Sequence, residues 1–139
     1  FDLDLAKEES KDNPLFYVQY AHARICSIFK KVNDENRSYD KEVALKSLNC
    51  LERKQEVEIL QALKQFPEVI NKAKDNYEPH LICYYLRDLA HSFHSYYSHE
   101  KILVEDTKEL QAKLFMLSAV KQVIFNGLNL LGISSPESM

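Results

Sequence analysis

Glycine and proline are scarce here: the 139 residues include only two glycines and four prolines. A β-sandwich or barrel needs turn residues about every ten positions, so this scarcity excludes an all-β fold. Long hydrophobic runs are also missing. No stretch of about 18 uncharged apolar residues occurs, which argues against a membrane-spanning helix. The acidic start, with Asp2, Asp4, Glu8 and Glu9, does not suit a signal or transit peptide, so a soluble cytoplasmic protein with no membrane contact is expected. Three cysteines, an odd number with no C-x-x-C spacing, offer neither a disulfide framework nor a zinc site. Cys26 and Cys83 fall in apolar helical surroundings and read as reduced core residues.

Catalytic signatures are absent as well. There is no glycine-rich phosphate loop, no G-x-S-x-G and no H-E-x-x-H. His91 and His94 lie one helical turn apart and His99 follows, so spacing alone allows a metal site. A metal needs further convergent ligands, and these histidines read better as solvent-facing or locally hydrogen-bonded side chains on an amphipathic helix.

What is present is a helical pattern with 45% hydrophobic residues, enough for one domain around one core. Asp12 or Asn13 is placed to cap a first helix, with Pro14 in its first turn. Val18, Ala21, Ile25, Ile28, Phe29 and Val32 then recur at steps of three and four. A polar loop over 33–38 follows. Residues 39–50 allow a helix of two or three turns, and 52–66 a clearer one that Pro67 breaks before a short continuation to about residue 74. Pro79 opens a long helix whose stripe is Ile82, Leu86, Leu89, Phe93 and Tyr96. Asp106 and Glu109 make a capping pattern for a last helix that Gly132 ends. Its core face is Leu110, Leu114, Leu117, Val120, Ile124, Leu128 and Leu131. The expected architecture is all-α, a bundle of five or six helices over residues 13–139, preceded by an acidic lead-in over 1–12.

The net charge of −3 argues at first against a polyanionic partner. Its distribution does not. Residues 1–12 carry five acids and two lysines, whereas 13–33 carry Arg24, Lys30 and Lys31 and no acid. Tyr17, Tyr20, Arg24 and Lys31 recur at helical steps beside the apolar stripe. Rings and cations in this pattern suit stacking on a few unpaired bases better than coating a duplex. The same residues also suit ordinary packing, with tyrosines on the rim of a core and the arginine paired with a carboxylate from another helix.

The string Tyr-Val-Gln-Tyr-Ala-His-Ala-Arg, Tyr17 to Arg24, resembles the signature that opens the C-terminal anticodon-binding domain of arginyl-tRNA synthetases. Leu86, Leu89, Ala90, Phe93, Tyr96 and Tyr97 are similar to a second pattern of that DALR-type domain. The Pro136-Glu137-Ser138-Met139 ending resembles the family's Pro-Glu-Arg-Met, with Ser138 in place of the usual arginine; the final methionine implies a preserved natural stop. The resemblance implies a helical bundle of the class Ia synthetase type that binds the anticodon stem-loop of arginine tRNA. Tyr20 and Arg24 would line the anticodon site, helped by Tyr17, Met139 and Tyr96 or Tyr97, and Lys30 and Lys31 would contact phosphates. Gln19 and His22 belong to the signature without an evident role. Neither ATP-binding signature of class I synthetases, His-Ile-Gly-His or Lys-Met-Ser-Lys-Ser, occurs. ATP with magnesium would therefore belong to a catalytic domain upstream of Phe1, this chain would need no cofactor and be inactive alone, and the protein would be a monomer. Two alternatives stay open: a helical protein-interaction module, and the corresponding domain of a related synthetase such as the cysteine enzyme.

Overall fold

A computed structural model describes residues 13–139, which form five α-helices and one 3₁₀ turn, with no strand among the described residues. The helices are α1 (Phe16–Asp34), α2 (Lys41–Leu45), α3 (Lys54–Asp75), α4 (His80–His99) and α5 (Thr107–Leu130), with the 3₁₀ turn Leu48–Cys50 between α2 and α3. The all-α expectation holds. The acidic lead-in and Asp12 lie outside the described residues.

The core follows from the stripes. Val18, Ala21, Ile25, Ile28 and Val32 of α1 are buried, as are Ile82, Leu86, Leu89, Phe93 and Tyr96 of α4 and the whole predicted face of α5. Each large apolar side chain so buried contributes about 1.5–3 kcal/mol. Helix α5 is central: it packs against α1, α2, α3 and α4, while α3 packs mainly on α4. Helix α4 comes close to α5 at Gly127, where an added Cβ would sit 2.8 Å from the Cδ atoms of Leu86. Buried Gln111 on α5 ties down the loop before α2, donating to the Ser38 carbonyl and accepting from the Asp40 amide, both at 2.7 Å.

Helix ends show where local rules held. Asn13 Oδ1 accepts from the Leu15 amide at 2.7 Å, so Asn13 closes a turn through Pro14 and the helix begins at Phe16, slightly later than expected. Asn36 adopts φ +57°, which lets the Arg37 amide reach the Val32 carbonyl and end α1. Gly132, at φ +71°, ends α5 the same way, with the Ile133 amide on the Leu128 carbonyl.

Three expectations are corrected. Residues 39–50 form α2 and a 3₁₀ turn rather than one helix, with the Ser47 hydroxyl donating to the Val43 carbonyl at 2.7 Å between the two. Pro67 does not break the helix: α3 runs from Lys54 through it to Asp75. Ile59 and Phe66 before it and Ala73 after it are buried in one core, and exposed Pro67 stands on the solvent side, where water can satisfy the carbonyl left without a donor. Asp106 precedes α5 but makes no side-chain cap, and the Glu109 carboxylate that would complete a capping box accepts from Arg53 at 3.0 Å.

Candidate nucleic-acid interface

Helices α1 and α4 lie side by side, and the segment after α5 crosses α1 beside them. Two residues of the signature string hold that segment. Gln19, buried, donates from Nε2 to the Ser134 carbonyl at 2.9 Å and accepts from Asn13 Nδ2 at 3.1 Å. His22, also buried, donates from Nδ1 to the Pro136 carbonyl at 2.9 Å. Sequence reasoning assigned neither residue a role; both act as straps, bringing Ser138 and Met139 against α1.

The result is a groove of about 300 Å³ whose lining includes Tyr20, Arg24, Lys31, Tyr97, Ser138 and Met139. Residues 20, 24, 27 and 31 are separated by three or four positions, so one face of α1 supplies its floor.

Arg24 is fixed at the centre of this groove. Nη2 donates to the Tyr20 hydroxyl at 2.9 Å, and Nη1 lies 3.0 Å from His94 Nδ1. The guanidinium carbon stands 4.6 Å from the ring centre of Tyr20 and 4.3 Å from that of Tyr97, within range of a cation–π contact with both. All of these partners are neutral. Among the described residues Arg24 has no ion pair, so the packing alternative in which a carboxylate neutralises it does not apply. Arg53 shows the contrast: Glu109 and Glu100 hold it at 3.0 and 3.1 Å, and its charge is spent inside the protein. Arg24 keeps an oriented, uncompensated positive charge facing a concave surface.

His94 is buried under the aromatic pair, its ring 4.2 Å from that of Tyr17 and 5.5 Å from that of Tyr20. Burial, chiefly, and then the nearby charges of Arg24 and His91 push its pKa below the ordinary value of 6.5, against an upward pull from the Tyr17 carbonyl. With His94 committed inside the bundle, the histidines of α4 do not converge on a metal, and no cluster of three potential ligands occurs among the described residues.

The other predicted site residues separate. Lys31 lines the groove, whereas Lys30 is exposed about 100° round the helix and points elsewhere. Tyr17 is 44% exposed but lines a neighbouring hollow with Tyr84, Arg87, Asp88 and His91. Tyr96 is a correction. It is fully buried, and its hydroxyl donates at 2.6 Å to Oε2 of buried Glu56, so its ring cannot meet a base. Tyr97, one residue on and therefore about 100° round the helix, is 41% exposed and lines the groove. The α4 stripe already placed Tyr96 in the core, and that period was the better guide.

The sequence and the helical bundle together place the chain in a known class. The chain is a member of the DALR anticodon-binding domain family, whose model matches residues 18–139. It is 47% identical over its whole length to an arginine–tRNA ligase of Coxiella burnetii and 48% identical to one of Legionella pneumophila. It spans 24% of the length of each of these relatives. Its fold is similar to that of the Thermus thermophilus arginyl-tRNA synthetase, with a TM-score of 0.77 at 28% identity over 94% of this chain and 22% of that one. No helix among the described residues is long and apolar enough to cross a membrane.

Proposed function

We propose that this chain binds the anticodon stem-loop of arginine tRNA as part of a cytoplasmic, monomeric arginine–tRNA ligase. The observation that carries the reading is Arg24, oriented by Tyr20, Tyr97 and His94 and left without a carboxylate partner among the described residues. A guanidinium held in this way can hydrogen-bond a base edge or a phosphate.

Tyr20 and Tyr97 offer ring faces to extruded bases, and Lys31 at the same groove supplies a phosphate contact. Lys30, on the neighbouring face, adds long-range attraction without base choice. The groove of about 300 Å³ is at the small end of ligand sites and suits a base or two rather than a duplex. Met139, 53% exposed at the rim, gives such a base an apolar edge to lie against. Tyr17 and its hollow lie beside this path and extend it along α4.

The ligation itself belongs to sequence outside this chain. The residues here do not fit ATP: there is no glycine-rich phosphate loop and neither class I ATP signature, so no step through ATP or magnesium is derived. The physical contribution of this domain is to hold the anticodon loop so that the distant acceptor end is correctly placed.

The test is tRNA binding by Tyr20→Ala and Arg24→Ala, with circular dichroism to verify folding. Each substitution is expected to weaken binding about tenfold, on the scale of one stacked or charge-assisted contact. Unchanged affinity in both folded variants would overturn the site. Competition by a helical peptide or protein rather than by arginine tRNA would favour the interaction-module reading.

A further inference from the structure

The contact between Arg24 and His94 has only one workable protonation state. A guanidinium has donors and no acceptor, so the 3.0 Å contact from Nη1 requires His94 Nδ1 to accept. On the other side, His94 Nε2 lies 3.1 Å from the Tyr17 carbonyl oxygen, which can only accept, so Nε2 carries the hydrogen. Both ring nitrogens are committed, one in each role, and the ring must be neutral. A second proton on Nδ1 would put N–H against N–H and cation against cation.

We propose that His94 is the positioning residue for Arg24 and that it gives RNA binding at this groove an inverted pH dependence, with affinity falling as the histidine becomes protonated. This rests on the reading of the groove as an anticodon-loop site. The titratable groups facing His94 are Tyr17, Tyr20 and Arg24 from α1 and His91 from its own helix; no carboxylate of the described residues is among its partners.

The sign distinguishes this mechanism from ordinary electrostatics. In ordinary electrostatics, positive charge gained by a protein surface as the pH falls strengthens attraction to a polyanion. Protonating His94 instead expels the guanidinium from its place between Tyr20 and Tyr97. Burial and the Arg24 charge favour the neutral ring, so the arrangement is intact at neutral pH and is lost as the pH falls through a value below 6.5.

The test is the affinity of the 139-residue chain for an arginine anticodon stem-loop between about pH 7.5 and 5.0 at fixed salt, for wild type, His94→Gln and His94→Leu, with melting curves at each pH. Glutamine keeps an acceptor for Arg24 and a donor for the Tyr17 carbonyl, and it does not titrate. Relative to His94→Gln, wild type is expected to lose about three- to tenfold across this range, while His94→Leu, with no acceptor, binds more weakly than either at the upper end. Parallel profiles for wild type and His94→Gln would overturn the proposal. Imidazole ¹⁵N spectra of the chain without RNA provide a separate arm. A neutral His94 protonated on Nε2 at pH 7 is expected, whereas a ring protonated on Nδ1, or one titrating normally near 6.5, overturns the proposal whatever the RNA does. If no variant binds the stem-loop at any pH, the reading of the groove fails, and the pH claim with it. The spectra would still decide separately whether His94 positions Arg24.

Discussion

The Arg24 guanidinium carbon stands 4.3 Å from the ring centre of Tyr97, while Tyr96, the preceding residue, has its hydroxyl 2.6 Å from a Glu56 carboxylate oxygen on the other side of α4. One peptide bond separates a groove residue from a core residue. The two tyrosines should therefore fail in opposite ways. Tyr97→Ala is expected to reduce anticodon-loop affinity about tenfold with little change in melting temperature. Tyr96→Phe removes a donor from a fully buried carboxylate and should cost about 1–3 kcal/mol of stability, with anticodon-loop affinity unchanged in the folded protein. Urea melts and stem-loop titrations on the two variants check both halves.

Gln19 and His22 hold the segment after α5 through carbonyls at Ser134 and Pro136. Replacing either by alanine removes a hydrogen bond worth about 1 kcal/mol and releases that side of the groove. Hydrogen exchange over 133–139 should quicken in Gln19→Ala and His22→Ala, while exchange in α4 stays slow. The double variant should lose tRNA affinity although it retains Tyr20, Arg24 and Tyr97.

Glu109 joins Arg53 at 3.0 Å and Lys113 at 3.5 Å, and Lys113 is almost completely buried. The Arg53 hydrogen bond, reinforced by the two positive charges, holds the Glu109 carboxyl below its ordinary value of 4.5. The folded state thus favours the carboxylate, and the unfolded chain takes up the proton first as the pH falls. The contact is worth most above the ordinary value and is lost as the pH drops through the folded one. Glu109→Gln should cost about 0.5–1 kcal/mol near pH 7, and its gap from wild type should narrow at a pH well below 4.5. Thermal melts at the two pH values provide the check.

Leu89, 1% exposed at the middle of the α4 stripe, is not part of the groove lining. Leu89→Ala is expected to lose about 2–5 kcal/mol of stability by transfer and cavity terms together, measured in urea.

The helices with long, regular stripes were legible in the sequence because burial and period coincide there. Every residue of the α4 stripe, and every residue of the α5 face, is buried. Less legible were features settled by partners distant in the chain. A local rule gives Pro67 a break, but the apolar face on either side of it packs on one surface, which outweighs a single lost hydrogen bond. Asp106 and Glu109 read as a capping box, but Arg53, far away in sequence, takes the carboxylate. Tyr20 and Arg24 were visible as a stripe, and their shared groove was not, since Tyr97, Ser138 and Met139 complete it from other elements. His94 was weighed as a metal ligand or a surface residue. Its place beneath Arg24 depends on how α1 meets α4, which no spacing rule encodes.

The most direct test of the central claim is a titration of this chain, at low and moderate salt, with the arginine-tRNA anticodon stem-loop and with the same loop carrying a changed central anticodon base. An oriented Arg24 between Tyr20 and Tyr97 predicts clear preference for the arginine loop, with that preference retained as salt weakens both complexes. Equal binding of the two loops, disappearing together as salt rises, would leave only nonspecific attraction and contradict base recognition at this groove.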